Sequence, residues 1–339
     1  MRAVGKRIPP MMRTLGCRAA PRVAAAVSID DMRAMARRRL PASVYGYLDG
    51  GADDEATLAL NRAQFAGWGL LPRFLVDVSQ VDCTITVLGS RLAMPVLLAP
   101  TGLTRMFHPD GERTVARAAA HADTMYALST MASTSIEDVA RSGAGARCFQ
   151  VYPFKDRGLV REFIGRARAA GYTSLCVTVD VPVFGNRERD RRAGLTLPPR
   201  VTVRRLREAL ARPGWTWRYV RSAPLELANV RHVAPAGHGG LATLADYVNA
   251  QFFPAVRWSD IEWMIDQWSG PFAVKGLLHP VDIRQAAALG ATAVVLSNHG
   301  VDNSTARSRR FRCSRRLNAG FSSPSRSSST AARGGVPTS

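Results

Sequence analysis

The stretch RCFQVYPFKDRGLVREFIGRARAAGYTSLCVTVD, residues 147–180, decides the fold. It opens with one short apolar, β-branched run, RCFQVY (147–152), and closes with another, SLCVTVD (174–180), with a helical stretch between them. A strand that is apolar at successive positions is covered on both faces, and strand–helix–strand units of this kind build parallel sheets. Four similar runs recur: MPVLLAP (94–100), MYALST (125–130), FAVKG (272–276) and TAVVLSNH (292–299). Helical segments accompany them, GERTVARAAAHA (111–122) and VDIRQAAALG (281–290) most clearly, the second with Gly290 as its cap. The strand ends at 100, 130, 152 and 180 step by 30, 22 and 28 residues, and those at 276 and 299 by 23. That is the βα period of a barrel or of a doubly wound sheet.

Polar and special residues collect at the C-terminal ends of these runs: Pro100 and Thr101, Ser129, Gln150 and Tyr152, Thr178 and Asp180, Lys275, Ser297 and His299. A single strand-end Ser or Thr usually caps the next helix. Six successive strands ending in polar groups are harder to dismiss, and in a (β/α)₈ barrel that side is the catalytic face.

Upstream, SIDDMRAMARRRL begins with Ser28 as N-cap and with Asp30 and Asp31 in the first turn, and stops at Pro41. A second helix near SVYGYLDGG ends at Gly50 and Gly51. The gap from 181 to 271 is too long for one βα connection. An insertion after the fourth strand, including residues 200–255, is expected there. It contains RVTVRRLREALARPGWTWRYVR (200–221), with seven Arg, one Glu, two Trp and one Tyr. Such a segment suits an anionic membrane surface. The alternative is a solvated excursion whose aromatic residues pack on the barrel.

The chain has 339 residues, a net charge of +20 and 46% hydrophobic residues. Residues 1–27 hold six basic residues and no acid, and residues 301–339 hold eight Arg against Asp302 alone. Much of the excess therefore lies in the two ends, and no nucleic-acid partner is expected. Residues 1–27 are expected to be a disordered basic extension. The five cysteines are scattered and form no CxxC pair, so neither a disulfide framework nor a metal site is expected, and a cytoplasmic, reducing setting is. No apolar run is long enough to span a bilayer.

The segments VYGYLDGGADDEATLALNR (44–62), LLAPTGL (97–103), ALSTMASTSIEDVA (127–140), FQVYPFKDR (149–157), TVDVPVFGNRERDRR (178–192), VKGL (274–277) and SNHG (297–300) stand in this order. They resemble the FMN-dependent α-hydroxy-acid dehydrogenases and oxidases, which include glycolate oxidase, L-lactate dehydrogenase and mandelate dehydrogenase. The resemblance implies a TIM barrel over residues 28–300, FMN as cofactor and a small (S)-2-hydroxy acid, L-lactate favoured, as substrate. It implies His299 as the base, an imidazole being suited to proton transfer near neutral pH. Asp180 would pair with it. Arg187 would grip the substrate carboxylate with its fork. Tyr47 and Tyr152 would hydrogen-bond the substrate, and Lys275 would face the flavin N1 and O2 edge. Pro100, Thr101, Gly102, Ser129, Gln150, Thr178 and Ser297 would line the flavin. Arg189, Arg191 and Arg192 are expected to be surface charges. The electron acceptor (quinone, cytochrome or oxygen) and any homo-oligomer are left open. Residues 200–221 offer a peripheral attachment to the inner face of the membrane.

The resemblance stops after Gly300. The family continues SNHGGRQLD, whereas this chain reads SNHGVDNST (297–305). GC-rich codons for Val301–Thr305, preceded by one extra G and regrouped, read G-R-Q-L-D. The same frame near Ala331–Ser339 reads D-G-G-A-R-R-G-T-D-V, like the family's phosphate-holding DGG…R segment. The expectation is a single-base deletion that leaves six of eight βα units and an Arg/Ser-rich, disordered tail at 301–339. Two alternatives to an active enzyme follow: a family member made inactive by loss of its phosphate anchor, or a basic surface-binding protein.

Overall fold

A computed structural model describes residues 23–181, 185–194, 202–233 and 247–299. The expectations for residues 1–22, for 195–201 and 234–246 of the insertion, and for the tail from 300 lie outside these residues.

The capping signals at the start of the chain act as read. Ser28 accepts the Asp31 N–H, and the Asp31 carboxylate accepts the Ser28 N–H, opening α1 (Ile29–Arg39). Pro41 separates α1 from α2 (Ala42–Asp49), which ends at Gly50. Helix α3 (Ala56–Ala66) follows. A hairpin of β1 (Ile85–Val87) and β2 (Ser90–Leu92) turns through Leu88 and Gly89, both with positive φ, as the favoured two-residue turn requires.

The main sheet contains β3 (Tyr126–Ser129), β4 (Arg147–Val151), β5 (Ser174–Thr178), β6 (Phe272–Lys275) and β7 (Ala293–Val295). The five strands are parallel and neighbour one another in sequence order. The connecting helices are α4 (Gly111–His121), α5 (Ile136–Arg141) and α6 (Arg157–Ala169), then α7 (Glu188–Arg192), α8 (Val203–Leu210), α9 (Pro213–Arg221) and α10 (Trp258–Trp268), and finally α11 (Pro280–Ala288). Strand-by-strand parallel order with helical crossovers is barrel topology. The run at 94–100 is a correction: it makes one parallel bridge, Leu98 to Tyr126, rather than a full strand. It lies at the edge of the sheet, and Pro95 and Pro100 bring no N–H to a ladder.

Alternation along the strands sorts the side chains into two layers. Phe149, Val151, Leu175, Val177, Phe272 and Val274 pack among the helices. On the other face Cys148, Cys176 and Ala273 pack with Leu92 and Met125, and Ile85, Val87 and Leu88 of the hairpin close that end. Two residues further along the same face come Ser129, Gln150, Thr178 and Lys275. Register makes Ser129 the neighbour of Gln150, and Thr178 the neighbour of Lys275. The apolar interior therefore gives way to a polar layer at the C-terminal ends of the strands.

The sheet does not close among the described residues. Val96 at one edge and Val295 and Leu296 at the other are exposed. The segment after α3 carries Trp68, Leu70, Leu71, Phe74 and Leu75 in solvent, Leu70 at 97% exposure. Uncovered apolar edges of this kind are pairing sites for other chains.

Candidate active site

At the end of β5 the chain turns so that Thr178 donates to Asp180 Oδ1 (2.6 Å). Asp180 is almost fully buried. Its Oδ1 lies 2.8 Å from His299 Nδ1, and its Oδ2 accepts from Lys275 Nζ at 3.2 Å. The other ring nitrogen of His299, Nε2, lies 3.2 Å from the Tyr152 hydroxyl. Burial alone would raise the Asp180 pKa. The hydrogen bond and charge of His299, the Lys275 ammonium and the Thr178 hydroxyl outweigh it, holding the carboxyl far below the usual carboxylate range. With Asp180 ionised on the Nδ1 side, Nε2 points to the Tyr152 side of the ring. His299 itself has φ 56°, a left-handed backbone uncommon outside glycine, and its N–H donates to Ser297 Oγ (2.9 Å). Ser297 thus supports the turn that presents the imidazole.

Four sequence-predicted residues, Tyr152, Asp180, Lys275 and His299, form one connected cluster. Tyr47 and Arg187 form a second. The Arg187 guanidinium lies over the Tyr47 ring (4.7 Å), donates to the Tyr47 carbonyl (2.5 Å) and pairs through Nε with Asp190 (2.5 Å). Tyr47 stacks on Phe107. Helix α7 therefore locks Arg187 onto α2. Arg189 is a correction: it is not a simple surface charge but pairs with Asp49 and Glu55, bolting the same helices together. Arg192 pairs with Glu188 of its own helix.

Pro100, Thr101 and Gly102 lie in the loop after the Leu98 bridge. A Cβ on Gly102 would come within 3.1 Å of Met131 Cβ and 3.2 Å of its carbonyl, so the loops after Leu98 and β3 touch there. Ser129, Gln150 and Thr178 are nearly inaccessible. Buried hydroxyls and a carboxamide beside an ammonium make a donor and acceptor set for a planar heteroaromatic ring with carbonyl edges. The residues present therefore fit the ring end of a flavin.

Three residues of structural consequence carried no reading in the sequence. Gly276 has φ 107°, and a Cβ there would lie 2.5 Å from Asp180 Cγ. Fully buried Asn229, in the insertion, donates to the Ser129 and Thr130 carbonyls and accepts the Ile136 N–H. Fully buried Glu112 gathers donors from two loops. A glycine directly after a strand-end Lys was the one available signal.

Asp180 also predicts an acid response. Because its folded pKa lies below the ordinary 3.8, its stabilising contribution is complete above about pH 4 and is lost as pH falls from there. Thermal melts of wild type and Asp180→Asn should therefore differ most above pH 4 and converge in acid. A constant difference down to pH 2 would remove the ionised carboxylate from the account.

A parallel α/β barrel sheet with a His–Asp–Lys cluster and a ring-binding polar layer at its C-terminal end defines a flavin-type oxidoreductase. The FMN-dependent dehydrogenase family model matches residues 36–314, and the chain belongs to that family. It is 44% identical over 276 residues to an L-lactate dehydrogenase of Caulobacter vibrioides, covering 80% of this chain and 71% of the relative. It is 38% identical over 273 residues to glycolate oxidase 1 of Zea mays, covering 80% and 68%. A solved structure of the monotopic membrane protein (S)-mandelate dehydrogenase superposes with a TM-score of 0.79 at 36% identity, covering 83% of this chain and 74% of that one. The fold is accordingly that of the TIM-barrel flavoproteins, the cofactor of the family is FMN, and its general reaction is oxidation of an α-hydroxy acid.

Proposed function

We propose that this chain oxidises a small (S)-2-hydroxy acid, with L-lactate favoured, to the 2-oxo acid, using His299 as the base. The observation that carries this reading is the continuous line Tyr152 Oη, His299, Asp180, Lys275, with contacts of 3.2, 2.8 and 3.2 Å. Bound FMN supplies the two-electron acceptor for the oxidation. Lys275, Gln150, Ser129 and Thr178 would hold its ring, with Pro100, Thr101, Gly102 and Ser297 around it. His299 Nε2 takes the substrate hydroxyl proton, and Asp180 stabilises the imidazolium from the opposite nitrogen. Tyr152 steers the hydroxyl toward Nε2. Tyr47 and Arg187 orient the carboxylate. The 44% identity to an L-lactate dehydrogenase supports lactate over mandelate. Anaerobic mixing of the flavin-loaded protein with L-lactate, glycolate and (S)-mandelate tests this. Flavin bleaching fastest with L-lactate is expected, and no bleaching by any of the three would overturn the reading.

A second reading is a family member whose barrel stays open and holds FMN weakly. It is favoured by the exposed apolar edges at Val96, Val295 and Leu296. A soluble, yellow, lactate-oxidising 339-residue protein would contradict it.

We further propose that α8 and α9 meet an anionic lipid surface. They expose Val203, Leu206, Leu210, Trp217 and Val220 among arginines, with Arg221 over the Trp217 ring (4.9 Å). Among the described residues no helix is long and apolar enough to cross a membrane. Trp215 instead follows the alternative expected of this segment, an aromatic residue packed on the barrel. It donates to the Met106 carbonyl, stacks on Tyr219 and packs beside Leu40 and Val44. Trp217→Ser should therefore weaken sedimentation with anionic vesicles, whereas Trp215→Ser should loosen the fold instead. Equal binding by wild type and Trp217→Ser would rule out this face.

A further inference from the structure

Glu112 is a fully buried carboxylate in the first turn of α4. Its Oε1 accepts the Thr104 N–H (3.1 Å) and the Ser133 N–H (2.8 Å), and its Oε2 accepts the Thr134 hydroxyl (2.7 Å). The Ser133 hydroxyl lies 2.9 Å from both carboxylate oxygens and accepts the Arg105 N–H (2.9 Å). Among the described residues no basic side chain lies within ion-pair distance of Glu112. A buried carboxylate without a cation persists only when hydrogen bonds replace its water. Here every replacement donor comes from one of two loops.

Those loops are residues 101–106, after the Leu98 bridge, and 130–134, after β3. They also meet directly, where the Leu103 N–H donates to the Met131 carbonyl (3.0 Å) and Gly102 abuts Met131. Asn229 ties the second loop down at both ends, through the Ser129 and Thr130 carbonyls and the Ile136 N–H. Thr101, Gly102 and Ser129, assigned above to the flavin, sit on the segments so held. Glu112 itself is fully buried, so it acts through these segments.

We propose that Glu112 is a positioning residue, an anionic clamp that sets the spacing of the two loops flanking the flavin. The flavin half of this proposal rests on the function proposed above. The clamp itself does not.

The test uses the full 339-residue chain carrying Glu112→Gln. The carboxamide keeps the volume but offers one neutral accepting oxygen in place of two charged ones, so the Thr104 and Ser133 N–H groups are held more weakly even when that oxygen faces them. Amide hydrogen exchange at Thr104 and Ser133 should accelerate roughly 10- to 100-fold, the worth of one hydrogen bond to a charged group, while amides of β4 and β5 keep their protection. The FMN dissociation constant, read by quenching of flavin fluorescence, should rise by roughly tenfold or more. Thr134→Val, which removes one donor only, should shift both readouts in the same direction by less. Unchanged exchange at Thr104 and Ser133 would overturn the clamp. Acceleration spread evenly over β4 and β5 would make Glu112 an ordinary fold residue and overturn it too. Selective acceleration with unchanged FMN affinity would overturn the positioning role. Absence of FMN binding to the unaltered chain would overturn that role together with the function reading, while the exchange measurement still reported on the clamp.

Discussion

Replacing His299 with alanine is expected to slow flavin reduction by L-lactate roughly 10²–10⁴-fold while leaving the flavin bound, the usual worth of a positioned general base. The expectation follows from where the imidazole stands. Its Nδ1 faces the ionised Asp180 at 2.8 Å, and its Nε2 faces the Tyr152 hydroxyl at 3.2 Å. Asp180 fixes the ring orientation and offsets the charge that the ring gains on taking a proton. Deleting the ring removes the acceptor but none of the inward-facing groups Ser129, Gln150 and Thr178. Affinity for FMN and the rate of its reduction should therefore separate, a fluorescence titration changing little and stopped-flow bleaching changing greatly. Equal rates for wild type and His299→Ala would end the assignment of the base, whatever the flavin affinity.

The parts of this arrangement that could be read in the sequence share one property: they depend on local pattern. Apolar runs with helices between them located the five ladder strands, because alternation and burial are set by residues within one element. Strand-end positions located Tyr152, Asp180, Lys275 and His299, because a parallel sheet collects its strand ends on one side whatever the loops do. The hairpin at 85–92 also had a local signal, ITV and SRL around Leu88 and Gly89, but so short a pair is weak without a sheet to plug. The rest depended on contacts distant in sequence. Glu112 looks like an ordinary acid in a first helical turn until the loop at 131–134 folds onto it. Asn229 reaches Ser129 across 100 residues. Trp215 and Trp217 are two apart and look alike in the sequence, yet helix geometry sends one to Met106 and the other to solvent. Arg189 looks like its neighbours until α2 supplies Asp49.

Gly276→Ala should be the most damaging single-methyl change in the site. Two independent costs meet at this position. The backbone there has φ 107°, beyond the left-handed well that non-glycine residues can enter, and holding a residue in such a region costs about 1–3 kcal/mol. The added Cβ would also lie 2.5 Å from Asp180 Cγ and 2.9 Å from its backbone N, and forcing extra volume into a packed site costs about 1–3 kcal/mol more. Their sum, about 2–6 kcal/mol, compares with about 5–15 kcal/mol of stability in a whole domain. Asp180 cannot yield without loosening the contacts that fix it to Thr178, Lys275 and His299. The strain should therefore reach the chemistry as well as the fold. Urea denaturation should show a lowered midpoint, and any folded fraction should bleach its flavin far more slowly than wild type. Gly276→Ala is also the sharper test of the Asp180–His299 contact, because it alters no polar group. If the variant denatured at the wild-type urea concentration and reduced its flavin at the wild-type rate, the close approach of β6 to Asp180 would be wrong, and the hydrogen bond from His299 Nδ1 to the Asp180 carboxylate would lose its structural support.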